Sequence, residues 1–246
     1  MSTNKTVFFI TGILLVILGT FMLVPYLLQI FYQENSHSFL SSAFVTIFIG
    51  ILLILANLEK NYRLNLQETF LFSTLAWFFV AAFGSLPFIF STLNLSISES
   101  FFESMSGITT TGSTVISNLD NSPKSILLWR SIMQWLGGIG IIVMAITVFP
   151  LLKVGGMQLF RMESSHDTEK IFPRTAEIGK TIISTYLILT LLCAFFYWLF
   201  GMSIFDSVAH SMTTIATGGF STHTESIGYF KSSNIEIIAT IFIILG

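Results

Sequence analysis

The sequence predicts an all-α integral membrane protein built from repeated helix–pore-loop–helix units with re-entrant half-helices. Three observations carry that prediction. First, the chain is 53% hydrophobic and only 10% charged, against roughly 25% charged in a soluble domain. So little charge, with a mean hydropathy of +0.80, cannot cover a soluble fold of this size. Second, apolar runs of about 20 residues recur, the length that spans a hydrocarbon core of about 30 Å. Third, two segments between such runs look like one device used twice. Ser100-Phe101-Phe102-Glu103-Ser104, leading to Thr109-Thr110-Thr111-Gly112-Ser113, is echoed by Ser203-Ile204-Phe205-Asp206-Ser207, leading to Ala216-Thr217-Gly218-Gly219-Phe220.

Taken in order, the spans fall at about 6–32, 40–57, 68–91, 123–149 and 180–200, and a sixth begins near Ser233 and runs to Gly246. The first run, from about Val7 to Phe31, is too long for a signal-peptide core and has no small-residue cleavage site behind it. Ser122-Pro123 reads as an N-cap with proline at the first helical position, and Pro150 is expected to close the same helix. Gly201, after Phe200, reads as a C-terminal glycine stop. Trp129, Tyr197 and Trp198 fall near span ends, where amphipathic rings favour the headgroup layer. The chain thereby divides into two leading helices (1–66), a first repeat (67–152), a cytoplasmic loop (153–179) and a second repeat (180–246) ending within its last helix.

Charge orients these spans. A cytoplasmic N-terminus puts Lys5, Lys60, Arg63, Lys153, Arg161, Lys170, Arg174 and Lys180 inside, leaving Lys124, Arg130 and Lys231 on or near the outer side. That arrangement obeys the positive-inside rule and the reverse breaks it. Both Thr/Gly loops then face outward.

The segments before those loops, about Ser98 to Thr109 and Ser203 to Ile215, are half-membrane elements. A helix of that length reaches roughly 18 Å. Ser100 with Glu103 and Ser203 with Asp206 match the Ser-x-x-acid capping pattern that starts a helix. A half-helix entering from outside leaves the negative end of its dipole at the membrane centre, which favours a cation just beyond it. The residues placed there are Thr110, Thr111, Gly112 and Ser113, and then Thr217, Gly218, Gly219 and Phe220. Glycine lets carbonyls turn toward an axis, and carbonyl oxygens replace an ion's hydration shell. Neither loop carries an acid, which suits a monovalent ion better than Ca²⁺. Ser100 to Gly112 is four residues shorter than Ser203 to Gly219, so the second half-helix is expected to be one turn longer, with Gly219 matching Gly112.

These motifs resemble the Trk/Ktr/HKT superfamily of potassium transporters, and specifically the membrane subunit of bacterial Trk uptake systems. The resemblance rests on Phe101-Phe102-Glu103-Ser104-Met105-Ser106-Gly107-Ile108-Thr109-Thr110-Thr111-Gly112, on Trp129-Arg130-Ser131 with Gln134-Trp135-Leu136-Gly137-Gly138-Ile139-Gly140, and on Ala216-Thr217-Gly218-Gly219-Phe220-Ser221-Thr222. Two helices before the first repeat look more like Trk than Ktr. The resemblance implies a four-repeat chain around one potassium pathway, a K⁺-permissive filter at Gly112, and a homodimer of the full-length form. It also implies a cytoplasmic regulatory subunit that binds nucleotides. Measured against that pattern the third and fourth repeats are missing, so the sequence reads as a truncated chain carrying half a pore.

Other features are weaker. Gly137, Gly138 and Gly140 suit close helix packing or a bend. Arg130 either snorkels or pairs with a carboxylate at the pore mouth. Glu103 and Asp206 are read mainly as caps, with cation attraction as the alternative, and His210 as a packed, hydrogen-bonded side chain. The charged loop with Arg161, Glu163, Asp167, Glu169, Lys170, Arg174 and Glu177 is a solvated face or a contact for the regulatory subunit. Cys193 stands alone, so no intrachain disulfide forms. No basic cluster suits nucleic acid. No catalytic triad, zinc site, phosphate loop or dinucleotide fingerprint occurs, so neither an enzyme nor a cofactor is expected, and K⁺ enters only as the transported ion. The competing readings are a Na⁺ or K⁺/Na⁺ pathway, a non-conducting fragment with an assembly role, and a secondary transporter with broken helices.

Overall fold

The computed structural model describes residues 4–34, 37–59, 65–152 and 171–246. Among these, regular structure is entirely helical, and five helical stretches are long and apolar enough to cross a membrane. Lys60, Arg63, Lys153, Arg161, Glu163, Asp167, Glu169 and Lys170, which enter the charge argument, lie outside the described residues.

The first span is α1 (Lys5–Phe21) followed by α2 (Leu23–Phe31). The break at Met22 has a local cause: Pro25 has no N–H to give Phe21's carbonyl and its ring crowds that turn. α3 (Ser38–Ala56) returns against α1. The two backbones meet at glycine: a Cβ on Gly12 would lie 2.8 Å from Gly50's carbonyl, and one on Gly50 2.9 Å from Gly12's. Small residues permit this approach where lipid offers no hydrophobic drive between helices.

The next span is α4 (Leu66–Gly84) and α5 (Leu86–Ile89). Asn65 and Glu68 form a reciprocal capping box at its start. At its end Phe88's N–H turns to Ser85's carbonyl. Gly84's carbonyl is taken instead by the Trp129 indole at 3.0 Å. Trp129 and Tyr197 are both fully buried, which corrects their expected place in the headgroup layer. Each ring has found a hydrogen-bond partner inside the protein, and only Trp198 stays exposed.

The half-helices are α6 (Ile97–Ile108) and, after α7 (Lys124–Leu152) and α8 (Ile171–Leu199), α9 (Ile204–Ile215). The last element is α10 (Ser233–Leu245). α7 continues to Leu152, past the stop expected at Pro150. α8 does end as expected: Gly201 adopts φ +107°, and Met202's N–H reaches back to Tyr197's carbonyl at 3.1 Å.

Two expectations about the half-helices need correction. α6 is capped by Ser96 and Glu99, not by Ser100 and Glu103. The sequence offers two overlapping Ser-x-x-Glu matches, and only the first stands at the helix start. Both half-helices are 12 residues long, so the second carries no additional turn. With Ser96 matched to Ser203, every later position falls into register without a gap.

α7 organises the rest. Its membrane stretch is 67% buried within the chain, against 22% for that of α8. One apolar cluster packs Ile126, Trp129, Ile132 and Met133 with α1 and α3–α6. A second joins Trp135, Ile139 and Ile142 to α8, α9 and α10.

Candidate functional site

Each half-helix ends in the same turn. Thr110 and Thr217 adopt left-handed backbone at φ +56° and +51°, and Gly112 and Gly219 both lie at φ +81°. The bonds repeat as well. Thr110 and Thr217 donate to Gly107 and Thr214 at 3.0 Å, and Thr111 and Gly218 donate to Ser106 and Thr213 at 3.0 and 2.9 Å. This closure satisfies the last orphan carbonyls of a helix. It also shows Gly219, not Gly218, to be the counterpart of Gly112.

Where the half-helices stop is set by α7. A Cβ on Gly137 would collide with Ile108's carbonyl, and one on Gly138 would sit 2.6 Å from Tyr186's hydroxyl and 3.2 Å from Ala216 Cβ. Consecutive glycines thus seat both half-helix ends on one helix. Gly137 lies about 20 Å along α7, so α6 ends near that helix's middle. Close packing, one of the two roles expected of these glycines, is what they provide.

Behind the turns lies a buried polar lattice. Glu103 and Arg130 are 0% and 1% exposed, and Arg130 Nε–H donates to Glu103 Oε1 at 2.7 Å. Arg130 therefore pairs rather than snorkels, and Glu103 is no cap. The Glu103 carboxylate also accepts from Thr114's hydroxyl at 2.8 Å and Val115's N–H at 2.9 Å. Arg130 Nη1 donates to Ser221's carbonyl at 2.8 Å, and its guanidinium lies 4.1 Å from the Phe220 ring centroid. One side chain thereby ties the first half-helix to the loop after the second. Removing one partner of such a buried pair costs about 3–5 kcal/mol.

The second loop has its own supports. Gln134, 0% exposed, donates to Gly218's carbonyl at 2.8 Å and accepts Phe220's N–H at 3.0 Å. His210 Nδ1 donates to Asp206's carbonyl at 2.9 Å, and Nε2 lies 3.0 Å from Ser221's hydroxyl. It is packed and hydrogen-bonded, as the sequence suggested. Ser203 caps α9 by accepting Asp206's N–H, while the Asp206 carboxylate accepts from the hydroxyls of Ser203 and Thr222, both at 2.7 Å.

At the mouth, His223 of the second loop meets Asp120 of the first at 2.7 Å and stacks on Tyr229. Hydrogen bonds from His223 and Thr224 hold the Asp120 carboxyl well below its usual range, down to about 2. Asp120 and Tyr229 line a depression of about 510 Å³ with Ser117, Asn118, Thr224, Glu225 and Lys231.

Of the eight candidate residues, Thr110, Thr111, Gly112 and Ser113 form one turn and Thr217, Gly218, Gly219 and Phe220 the other. A Cβ on Gly112 would strike Gly218's carbonyl, so the two turns touch. Two carbonyls are already engaged: Ser113's accepts from Ser106's hydroxyl at 2.6 Å and Gly218's from Gln134. Sequence reasoning missed Gln134 as a loop support, and missed that Glu103 and Arg130 serve both loops. No group of three or more His, Cys, Asp or Glu side chains that could hold a metal ion occurs among the described residues.

Comparison with known proteins agrees with this geometry. The TrkH family profile, described as "Cation transport protein", matches residues 35–246. The Trk system potassium uptake protein TrkH of Escherichia coli K12 is 43% identical over 241 residues, covering 96% of this chain and 50% of that protein. Its namesake from Vibrio parahaemolyticus is 41% identical over 246 residues, covering 98% and 51%. The crystal structure of the potassium transporter TrkH from Vibrio parahaemolyticus superposes with a TM-score of 0.89 at 39% identity, covering 100% of this chain and 50% of that one. This chain thus spans about half the length of the relatives it matches. These relatives are named as transporters, not enzymes. The chain belongs to the TrkH family of cation transport proteins.

Proposed function

We propose that this chain carries half of a potassium-uptake pathway across the cell membrane, with the two Thr/Gly turns as two walls of one selectivity filter. The observation that supports this most is the identity of the two half-helix ends: same length, same left-handed threonine, same glycine at φ +81°. Each directs the negative end of a helix dipole at the turn, which favours a cation there. The carbonyls of Thr110, Thr111, Gly112, Thr217, Gly219 and Phe220 accept no hydrogen bond from the described residues, which leaves them for an ion. Ser113 and Gly218, with engaged carbonyls, contribute shape instead.

In this reading residues 1–66 are two leading helices, 67–152 and 180–246 are pore repeats, and 153–179 is a cytoplasmic loop. The N-terminus is cytoplasmic, so both turns face the outside. The cell interior, negative by 100 mV, then draws in each K⁺ with about 2.3 kcal/mol. The relatives are named as Trk system potassium uptake proteins. By extension the working protein has two further repeats, assembles as a homodimer and answers to a nucleotide-binding cytoplasmic subunit.

Growth rescue of a potassium-uptake-deficient bacterium at low K⁺ tests the reading. This sequence joined to the second half of a full-length relative is expected to rescue growth, and Gly112→Ser, whose Cβ would strike Gly218's carbonyl, is expected to abolish rescue. A joined protein that reaches the membrane and never rescues growth contradicts the assignment.

A further inference from the structure

α7 reaches out of its own repeat into the next repeat's turn through Gln134. We propose that Gln134 is a positioning residue that sets the cation selectivity of the second turn. The proposal rests on the potassium-pathway reading above and deepens it.

The Gln134 amide behaves toward the loop like a length of backbone. Its donor takes Gly218's carbonyl at 2.8 Å and its acceptor takes Phe220's N–H at 3.0 Å. These two bonds bracket Gly219, the counterpart of Gly112, and fix its peptide planes from both flanks. Gly218-Gly219 is the intrinsically loosest stretch of either turn, because neither residue carries a Cβ to limit its backbone. The first turn has Thr111 where the second has Gly218, and the Thr111 hydroxyl bonds Thr109's at 2.8 Å.

Gly218 is not a glycine for the sake of its backbone angle. Gly112, Gly201 and Gly219 have positive φ, and Gly218 is not among them. A Cβ at 218 would instead sit 2.5 Å from Gln134 Oε1 and 2.7 Å from Nε2. The amide occupies the space of the missing side chain and restores the rigidity that side chain would have given.

Helix packing alone does not demand this amide. Gly246, the residue just after α10, faces Ile215's carbonyl as Gly137 on α7 faces Ile108's. Counting three residues back from each, α7 has Gln134 and α10 has Ile243, an apolar residue 49% exposed. The clamp is therefore a feature of α7 that α10 does not share. Where preference for K⁺ comes from cavity size, it requires a backbone that does not close on a smaller ion. Gln134 supplies that resistance and removes Gly218's carbonyl from the ion's ligands.

The test is K⁺ and Na⁺ uptake into proteoliposomes by this sequence joined to the second half of a full-length relative. Gln134→Met keeps the volume and loses both bonds. Gln134→Leu also loses both bonds and serves equally should the methionine variant not reach the membrane. Either change is expected to lower the K⁺ to Na⁺ uptake ratio about tenfold, the scale of one buried hydrogen bond left unmade, mainly through a higher KM for K⁺. A wild-type ratio in the variants of a K⁺-selective parent overturns the clamp alone. A parent that carries no K⁺, or prefers Na⁺, overturns the underlying reading and the clamp with it.

Discussion

In the first repeat Glu103 stands where the second has His210, and Thr111 stands where the second has Gly218, yet both turns share φ angles and closing bonds. The first turn is held by a carboxylate: Glu103 collects Thr114, Val115 and Arg130. The second is held by Gln134, His210 and the far end of Arg130, with the Asp206 carboxylate holding Thr222 just beyond it. The difference separates two requirements. The turn itself is fixed by helix closure, a left-handed threonine and a glycine, and these repeat. What braces it from behind need only satisfy buried polar atoms, and that has diverged.

The largest effect should come from the two glycines, and it should be unequal. Any side chain at φ +81° is strained, by about 1–2 kcal/mol. At Gly219 a Cβ meets nothing within 4 Å, whereas at Gly112 it meets Gly218's carbonyl. Gly219→Ala is therefore expected to reduce uptake by roughly tenfold, and Gly112→Ala to abolish it. Equal losses in a paired uptake assay would break the asymmetry between the turns.

Next comes the ion pair. Glu103→Gln or Arg130→Met alone is expected to destabilise the protein by about 3–5 kcal/mol, while the double variant recovers much of that loss because no charge stays buried unpaired. Thermal unfolding in detergent, followed by loss of monodisperse protein, measures it. Additive single losses would mean that the two charges do not depend on each other. A smaller effect is expected at the second turn: Thr222→Val removes the hydroxyl bond to Asp206 and should cost about 1 kcal/mol in the same assay.

The smallest effect belongs to the mouth. Asp120's carboxyl falls from 3.8 to about 2 on folding through its bonds to His223 and Thr224. A depressed carboxylate stabilises above its unfolded value, and the contribution is lost as pH falls through about 2. Acidification from neutrality to about pH 5 thus leaves Asp120 charged. Asp120→Asn is expected to change uptake by less than about fivefold, as for exposed pairs generally. Steep dependence on this residue would give the mouth a role that its exposure does not suggest.

Much of this was legible in the sequence, because membrane spans are set by length and polarity alone. The spans expected at 40–57 and 180–200 are found at Ser38–Ala56 and Gly179–Leu199. The repeated glycines were legible because φ +81° narrows residue choice, whereas left-handed backbone at the β-branched Thr110 and Thr217 runs against local preference. The start of α6 was misread because Ser96-x-x-Glu99 and Ser100-x-x-Glu103 overlap; equal half-helix lengths, counted back from Gly112 and Gly219, select the first. Trp129 was placed at the membrane surface because a local reading cannot see Gly84's spare carbonyl 45 positions away. Gln134 was invisible as a support for a like reason. Its partners lie 84 and 86 positions on, and only folding brings them together.

A tracer flux tests the potassium filter most directly. This sequence, joined to the second half of a full-length relative, is reconstituted in vesicles held negative inside, and uptake of rubidium as a K⁺ stand-in is measured against excess K⁺ or excess Na⁺. A K⁺-selective filter built on these turns gives uptake that excess K⁺ abolishes, that excess Na⁺ barely alters, and that Gly112→Ala removes. Uptake suppressed equally by both ions, or untouched by Gly112→Ala, would contradict it.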